Sequence, residues 1–399
     1  MIYRLAVWSC MSAARLVGEM VCDIGENGRA RGAFRYSQEY LDSSDAFALD
    51  PVSLPLRPEL HEVDHPGVFN VFEDSLPDDW GKKLLVRKYN ISRQNQNIPS
   101  LLMAIGSSGL GALAYANHDV PKQPTVDTSI LHLSTLLDEA EKFEHGETRD
   151  SEISLLLGAG SSPGGARPKA LVFDEVTDTQ YIAKLPSVKD LVDVVKVEAA
   201  TMSLAEKSGI HVAPTRLEAC GSRHVLLVER FDVVPSGRRH MISLQTLLKA
   251  HGYYTFRYID VLNVIRKYSA DPAVDSDCLF RQMVFNAVVT NTDDHLKNFW
   301  MVYGVGEGWR LSPAFDLVPD IGQKGEHVLF FDLNGYYPGR HKLEKLGISW
   351  GVSNAEKIVD QVFSATSNWK KEFAAFGVVE SDILRFAEID KNLHDNLCA

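Results

Sequence analysis

Between the apolar text ending at Val289 and resuming at Phe299, the stretch NTDDHLKN (Asn291 to Asn298) crowds two carboxylates, an imidazole, an ammonium and two amides into eight residues. Asp293 and Asn298 stand five positions apart and offer complementary chemistry: a carboxylate can take a proton from a hydroxyl, and an amide oxygen can hold a hard cation. Eighteen residues after Asn298, LSPAFDLVP supplies another carboxylate, Asp316. The intervening WMVYG, VGEG and WRLS read as a hairpin that would carry Asp316 back beside the loop. A base, two oxygen ligands for Mg²⁺ and a hairpin between them suit phosphoryl transfer, a reaction catalysed by positioning and charge neutralisation.

The five-residue interval is that of the catalytic loop HRDxxxxN of protein kinases, where the aspartate is the base and the asparagine a metal ligand. His295 reads as an orienting hydrogen-bond partner in the nucleotide site, Asp294 as a supporting or exposed carboxylate, and Lys297 as solvated or near the γ-phosphate. A zinc site built on Asp293, His295 and Asp316 lacks the second histidine usual in such sites. A serine hydrolase would need GxSxG on a strand-to-helix turn, and GAGSSPGG does not fit it.

Further candidates lie upstream. Gly158, Gly160, Gly164 and Gly165 punctuate a loop entering the strand KALVF, and such glycines let backbone N–H groups approach a polyphosphate, although a plain surface hairpin shares the pattern. Lys184 follows in the apolar strand QYIAKLP, where a kinase places the lysine that contacts the α- and β-phosphates. A lysine among apolar neighbours needs a partner. Glu198, on the helical stretch VVKVEAATMSLAEKSG, can supply one, or it is a solvated surface carboxylate. The apolar strand RHVLLVE then runs into Glu229-Arg230-Phe231, the position of the hinge that contacts adenine.

These residues need elements to hold them. Residues 1 to about 60 read as strands (RLAVWS, RLVGEMVCD, GAFRYSQEYL) with IGENGRAR as a turn. SLPDDWGKKLLVRKYN reads as a helix that Ser75 can cap, with Trp80, Leu84 and Leu85 at helical spacing. Gly106, Gly109 and Gly111 suggest a tight turn between packed elements, since no strand precedes them and no lysine lies near. The polar, proline-bearing segment from Asn117 to Ser129 reads as a linker. The expected fold class is therefore α+β: a two-lobed, protein-kinase-like body with a small β-rich lobe (150–234) and a larger helical lobe (235–399), preceded by an N-terminal α+β domain (1–116) and a connecting segment (117–149).

Composition narrows the functions. The formal charge of -12, from 53 acidic and 41 basic residues, is the wrong sign for gripping a phosphate backbone directly. Five scattered cysteines, none in CxxC, fit a reducing cytoplasm, and no run of 18 apolar residues suggests a membrane span.

In order along the chain, GAGSSPGGARPKALV, YIAKLP, LLVERFD, NTDDHLKNF and PAFDLVPD resemble the HipA family of serine/threonine kinases, toxins of bacterial toxin–antitoxin pairs. VFEDSLPDDWGKKLL and AIGSSGLGAL resemble that family's N-terminal domain, so the likeness spans nearly the whole chain; Asp79 departs from the glycine expected there. The resemblance implies ATP and Mg²⁺ as cofactors, Lys184 on the ATP phosphates, Asp293 as base, Asn298 and Asp316 on the metal, and Glu229 and Phe231 at the hinge. It places autophosphorylation at Ser162, with Ser161 the adjacent alternative. It further implies a helix-turn-helix antitoxin as partner, operator DNA reached only through that antitoxin, and a protein substrate in translation such as an aminoacyl-tRNA ligase. The alternatives are a small-molecule or lipid phosphotransferase and a catalytically idle scaffold for the antitoxin.

Overall fold

The structure is a computed structural model that describes every residue except 118, 122–125, 147–148, 160–166, 323 and 395–399. The chain forms two compact units that interleave in sequence: Met1–Ser187 with Glu229–Ile242 and Val302–Gly306, and Val188–Val228 with Ser243–Met301 and Glu307–Ala399. Both mix helices with antiparallel strands, so the class is α+β, as expected.

The first unit is built on an antiparallel sheet of five strands in the order β4-β3-β2-β1-β5: β1 (Ile2–Ser9), β2 (Arg15–Ile24), β3 (Ala30–Tyr36), β4 (His61–Val63) and β5 (Leu113–Ala116). The IGENGRAR turn joins β2 to β3, closed by the Gly25 N–H on the Arg29 carbonyl at 2.9 Å. The tail of GAFRYSQEYL is not strand. Ser37 accepts from the Tyr40 N–H and starts the short helix Gln38–Leu41, a local cap that outweighs the aromatic β-propensity of the segment. The expected helix runs over Asp79–Lys88 and buries Trp80, Leu84 and Leu85. Its cap position is Asp78, because Ser75 turns inward and pairs its hydroxyl with that of Tyr115 at 2.8 Å.

The same unit holds the hairpin of β6 (Lys169–Asp174) and β7 (Thr179–Lys184), in a register that opposes Lys169 to Lys184. Its second feature is a buried clasp. Arg230 grips Asp232 through two bonds of 3.0 and 2.6 Å, while the Gly111 N–H donates to Asp232 at 2.8 Å. Arg238 donates to the carbonyls of Ser107 (2.8 Å) and Gly109 (3.1 Å). The expected tight turn at Gly106 to Gly111 is thus a cradle whose backbone satisfies distant arginines. Gly111 has φ +72°, and a Cβ there would stand 3.3 Å from Met241, so glycine serves both the turn and the close approach.

The second unit is mostly helical. Its centre is Pro272–Val289, which Asp271 caps by accepting from the Val274 N–H and whose last three turns are buried on nearly every side. Tyr258–Tyr268 and Ala355–Thr366 pack against it. The helix Val194–Lys207 stops just before Gly209, whose φ of +79° is the left-handed geometry that suits glycine after a helix end. The hairpin of β8 (Thr215–Cys220) and β9 (Arg223–Glu229) follows it. Among the described residues no helix is long and apolar enough to cross a membrane.

Candidate active site

The central helix ends at Val289 because Thr290 adopts a left-handed conformation (φ 56°), turning the chain out into the polar loop. Asn291 returns its backbone N–H to the Asn286 carbonyl (2.9 Å) and its side-chain amide to the Asn286 side chain (3.1 Å), fixing the loop's start. At the far end Asn298 donates its side-chain NH₂ to the Asp293 carbonyl (2.8 Å), and its backbone N–H to the His295 carbonyl (2.8 Å). Asp293, His295 and Asn298 therefore share one closed turn, with the Asp293 carboxylate exposed to solvent.

What anchors that turn is Asp294, 1% exposed. Its carboxylate accepts from the Tyr258 hydroxyl (2.5 Å), His327 Nδ1 (2.9 Å), and the backbone N–H groups of Val328 (2.9 Å) and Leu329 (3.2 Å). Burial, reinforced by the Asp294 charge, pushes the Tyr258 phenol well above its ordinary value, so it remains a donor. Asn286 donates to the same hydroxyl at 3.1 Å, completing a buried relay from helix to loop. Sequence reasoning left Asp294 open between a supporting and an exposed carboxylate, because its side-chain partners lie 36 and 33 positions away; the structure makes it the supporting one. One signal was legible: Asn286 is an amide set among apolar helix residues, and such a group needs a buried partner.

Short strands β10 to β12 (Val233–Val234, Gly237–Arg238 and His240–Ser243) precede the loop, and the hairpin expected beyond it is present as β13 (Trp300–Gly304) and β14 (Gly308–Leu311). Beyond the hairpin the described residues from 312 to 322 and from 324 to 339 are irregular. Ala314 is held from both sides, donating to the His211 carbonyl (2.8 Å) and accepting from the Ala213 N–H (2.9 Å). Asp316, two residues on, takes φ 57°, a left-handed geometry uncommon for a residue with a side chain and one found at functional turns. Four residues later the Asp320 N–H donates to the Thr290 carbonyl (2.8 Å), so the Asp316 segment is stitched to the start of the polar loop.

Asn298 commits its NH₂ to the loop and has its amide oxygen for another partner; with the Asp316 carboxylate this is a hard oxygen donor set that suits Mg²⁺. Mg²⁺ completes its shell with phosphate and water, so two protein oxygens suffice. The zinc alternative finds no cluster of three His, Cys, Asp or Glu ligands among the described residues. His295 Nδ1 and Asn291 Oδ1 are buried and find no hydrogen-bond partner among the described residues, which leaves two polar atoms with bonding capacity to spare.

In the first unit Lys184 closes β7, half-buried, and faces Lys169, which is 6% exposed. Like charges directly opposite each other destabilise a hairpin unless negative charge lies nearby. Lys169 is a residue that the sequence reading passed over. Glu229 and Phe231 are half-buried and flank the clasp residue Arg230, whose N–H donates to the Gln180 carbonyl (3.0 Å). In the second unit Glu198 is 4% exposed on its helix, so it is a buried carboxylate and not a solvated one. Gly164, Gly165, Ser161 and Ser162 lie outside the described residues.

The fold and the site together define a class. Residues 161–369 match the HipA-like C-terminal domain and residues 13–116 the HipA N-terminal domain. The chain belongs to the HipA-like family. A Sinorhizobium fredii (strain NBRC 101917 / NGR234) protein named "Putative kinase Y4mE" is 29% identical over 342 residues, which span 78% of this chain and 77% of that one. A second protein of that strain, "Putative kinase Y4dM", is 30% identical over 164 residues, 37% of this chain and 39% of its own. HipA of Shewanella oneidensis MR-1, solved as a toxin–antitoxin system with HipB and its operator DNA, shares the fold: TM-score 0.64, 97% of this chain and 95% of that one, at 18% identity.

Proposed function

We propose that the chain is an ATP- and Mg²⁺-dependent serine/threonine protein kinase and the toxin half of a toxin–antitoxin pair. Asp293 accepts the proton of the acceptor hydroxyl, and Lys184 holds the α- and β-phosphates. Glu229 and Phe231 bind the adenine edge through their backbone, Gly164 and Gly165 belong to the loop over the phosphates, and His295 offers its open ring nitrogen to the nucleotide. Asn298 and Asp316 would hold Mg²⁺, which when bound neutralises phosphate charge. Ser162, or its neighbour Ser161, receives phosphate in self-modification, and the added charge would repel the triphosphate and turn the enzyme off.

The observation that carries this reading is the asymmetry within one turn: Asp293 is exposed on a backbone that Asn298 clamps, and the adjacent Asp294 is locked inside. A general base needs that combination of access and fixed position. The relatives' names support kinase chemistry, and the Shewanella complex of HipA with HipB and operator DNA supports an antitoxin partner that carries the DNA contact. The net charge of -12 agrees with operator binding through that partner alone. The proposed compartment is the cytoplasm and the proposed substrate a translation component such as an aminoacyl-tRNA ligase.

The test incubates purified protein with γ-labelled ATP and Mg²⁺ in a host lysate and identifies what carries label. Labelled serine or threonine in polypeptides, lost in Asp293→Gln, is the expected result. Label only on small hydroxyl compounds would replace this reading with a small-molecule phosphotransferase, and no label at all, despite antitoxin binding, with an idle scaffold.

A further inference from the structure

We infer that Asp275 is a positioning residue: by holding the end of β14 at the start of the central helix, it stretches residues 311 to 320 along that helix and so sets where the Asp316 carboxylate meets a metal ion. The metal role deepens the kinase reading and rests on it; the strap itself does not.

Asp275 stands in the first turn of Pro272–Val289 and is 2% exposed. A carboxylate there gains from the helix dipole, but burial this deep calls for several donors. They come from outside its helix: the Ser269 hydroxyl (2.6 Å), the Arg310 guanidinium through Nη2 (3.0 Å) and Nε (3.2 Å), and the Leu311 backbone N–H (2.9 Å). The Arg310 side chain is 40% exposed, so water screens the ion pair. The bond to Leu311 acts on the backbone. It falls on the last residue of β14, where the chain leaves the hairpin for the irregular stretch that carries Asp316.

The far end of that stretch is tied to the far end of the same helix, by the Asp320 N–H on the Thr290 carbonyl. From Asp275 to Thr290 the helix rises about 22 Å, and the chain from Leu311 to Asp320 reaches about 30 Å at full extension. The stretch is therefore drawn to about three-quarters of its reach between two points on one rod. Ala314 is pinned between them, its segment in a parallel bridge with Val212, so the remaining slack is taken up near Asp316, the residue with φ 57°. A left-handed residue that carries a side chain persists only where its surroundings hold it. The helix that spaces the two anchors also delivers, past Thr290, the loop of Asp293 and Asn298. Asp275 thus references Asp316 to the same rod as Asn298, and without it the two oxygen ligands would be set independently.

Asp275→Ala removes the acceptor of the Leu311 N–H. Asp275→Asn keeps it, with Oδ1 toward Leu311 and Ser269 and the NH₂ toward Arg310, which can turn to water; the ion pair goes and the strap stays. Calorimetry of Mn²⁺ binding to the full chain in saturating ADP should show about tenfold weaker affinity in Asp275→Ala and a value within about twofold of wild type in Asp275→Asn. Should Asp275→Ala fold poorly, Asp275→Leu/Arg310→Met replaces the pair with apolar groups and should show the same weakening. Hydrogen–deuterium exchange reads the strap without the metal: the Ala314 and Asp320 N–H groups, remote from the substitution, should exchange about tenfold faster in Asp275→Ala or the double variant and near the wild-type rate in Asp275→Asn. Mn²⁺ bound by Asp275→Ala as tightly as by wild type, or lost equally in Asp275→Asn, would overturn the metal role. Wild-type exchange at both amides would overturn the strap. If wild type binds no Mn²⁺ with ADP, the metal ligands of the kinase reading fall and the metal role with them, while the exchange rates still judge the strap.

Discussion

Two buried polar networks divide this molecule's chemistry. In the first unit, Arg230, Asp232 and Arg238 are sealed against the glycine turn, and their donors end on carbonyls or on the one carboxylate. In the second, Asp294 is as deeply buried, yet its neighbours Asp293, His295 and Asn291 present an exposed carboxylate and two polar atoms that find no partner among the described residues. A network that satisfies itself can only hold structure together. One that fixes its backbone and leaves donors and acceptors over can act on something else.

The sharpest way to break the contrast is to remove one carboxylate from each region. Burial alone would raise the Asp232 pKa, but Arg230, Arg238 and the Gly111 N–H hold it below the usual carboxylate range. Asp232→Ala would strand two buried guanidinium groups, and chemical denaturation should show a loss of about 3–5 kcal/mol. Asp293→Asn, at an exposed carboxylate, should change stability by less than about 0.5 kcal/mol in the same experiment.

A pH titration probes the closed network from beside it. His240, two residues past Arg238, is buried with Nε2 on the Leu49 carbonyl (2.9 Å), and burial lowers its pKa from 6.5 to about 4. The unfolded chain therefore takes up the proton first. Stability is full above pH 6.5 and falls as pH drops from there to about 4, by about 3 kcal/mol for this group. His240→Gln should flatten that slope, read from denaturation midpoints between those two pH values.

The smallest effects separate glycines that look alike in sequence. Gly111→Ala should cost about 1–2 kcal/mol, because φ is +72° and the new Cβ meets Met241 at 3.3 Å. Gly158→Ala, with nothing among the described residues within 4 Å of the new Cβ, should stay within about 0.5 kcal/mol. Thermal denaturation of the two variants checks the difference.

Much of the site was legible because its spacing is local. Asp293 and Asn298 are close enough in sequence for one turn to join them, and the glycines and apolar runs announced the elements on either side. The third strand's tail was misread because a single serine cap decided it. Ser75 was assigned as a helix cap because its partner, Tyr115, lies 40 residues away. The glycine turn was read correctly as a turn, but its service to Arg238, at a separation of 129 residues from Gly109, was invisible. Asp294 was opaque for the same reason. Local spacing reveals which groups could react, whereas burial and long-range partners set two adjacent aspartates apart, Asp293 exposed and Asp294 locked inside.

The most direct test of the account compares Mg-ATP binding and phosphate transfer in wild type and Asp293→Asn. The variant is expected to bind Mg-ATP within about twofold of wild type while transfer to polypeptide falls by about 10²–10⁴-fold. Transfer at the wild-type rate, with Mg-ATP bound equally well, would contradict it.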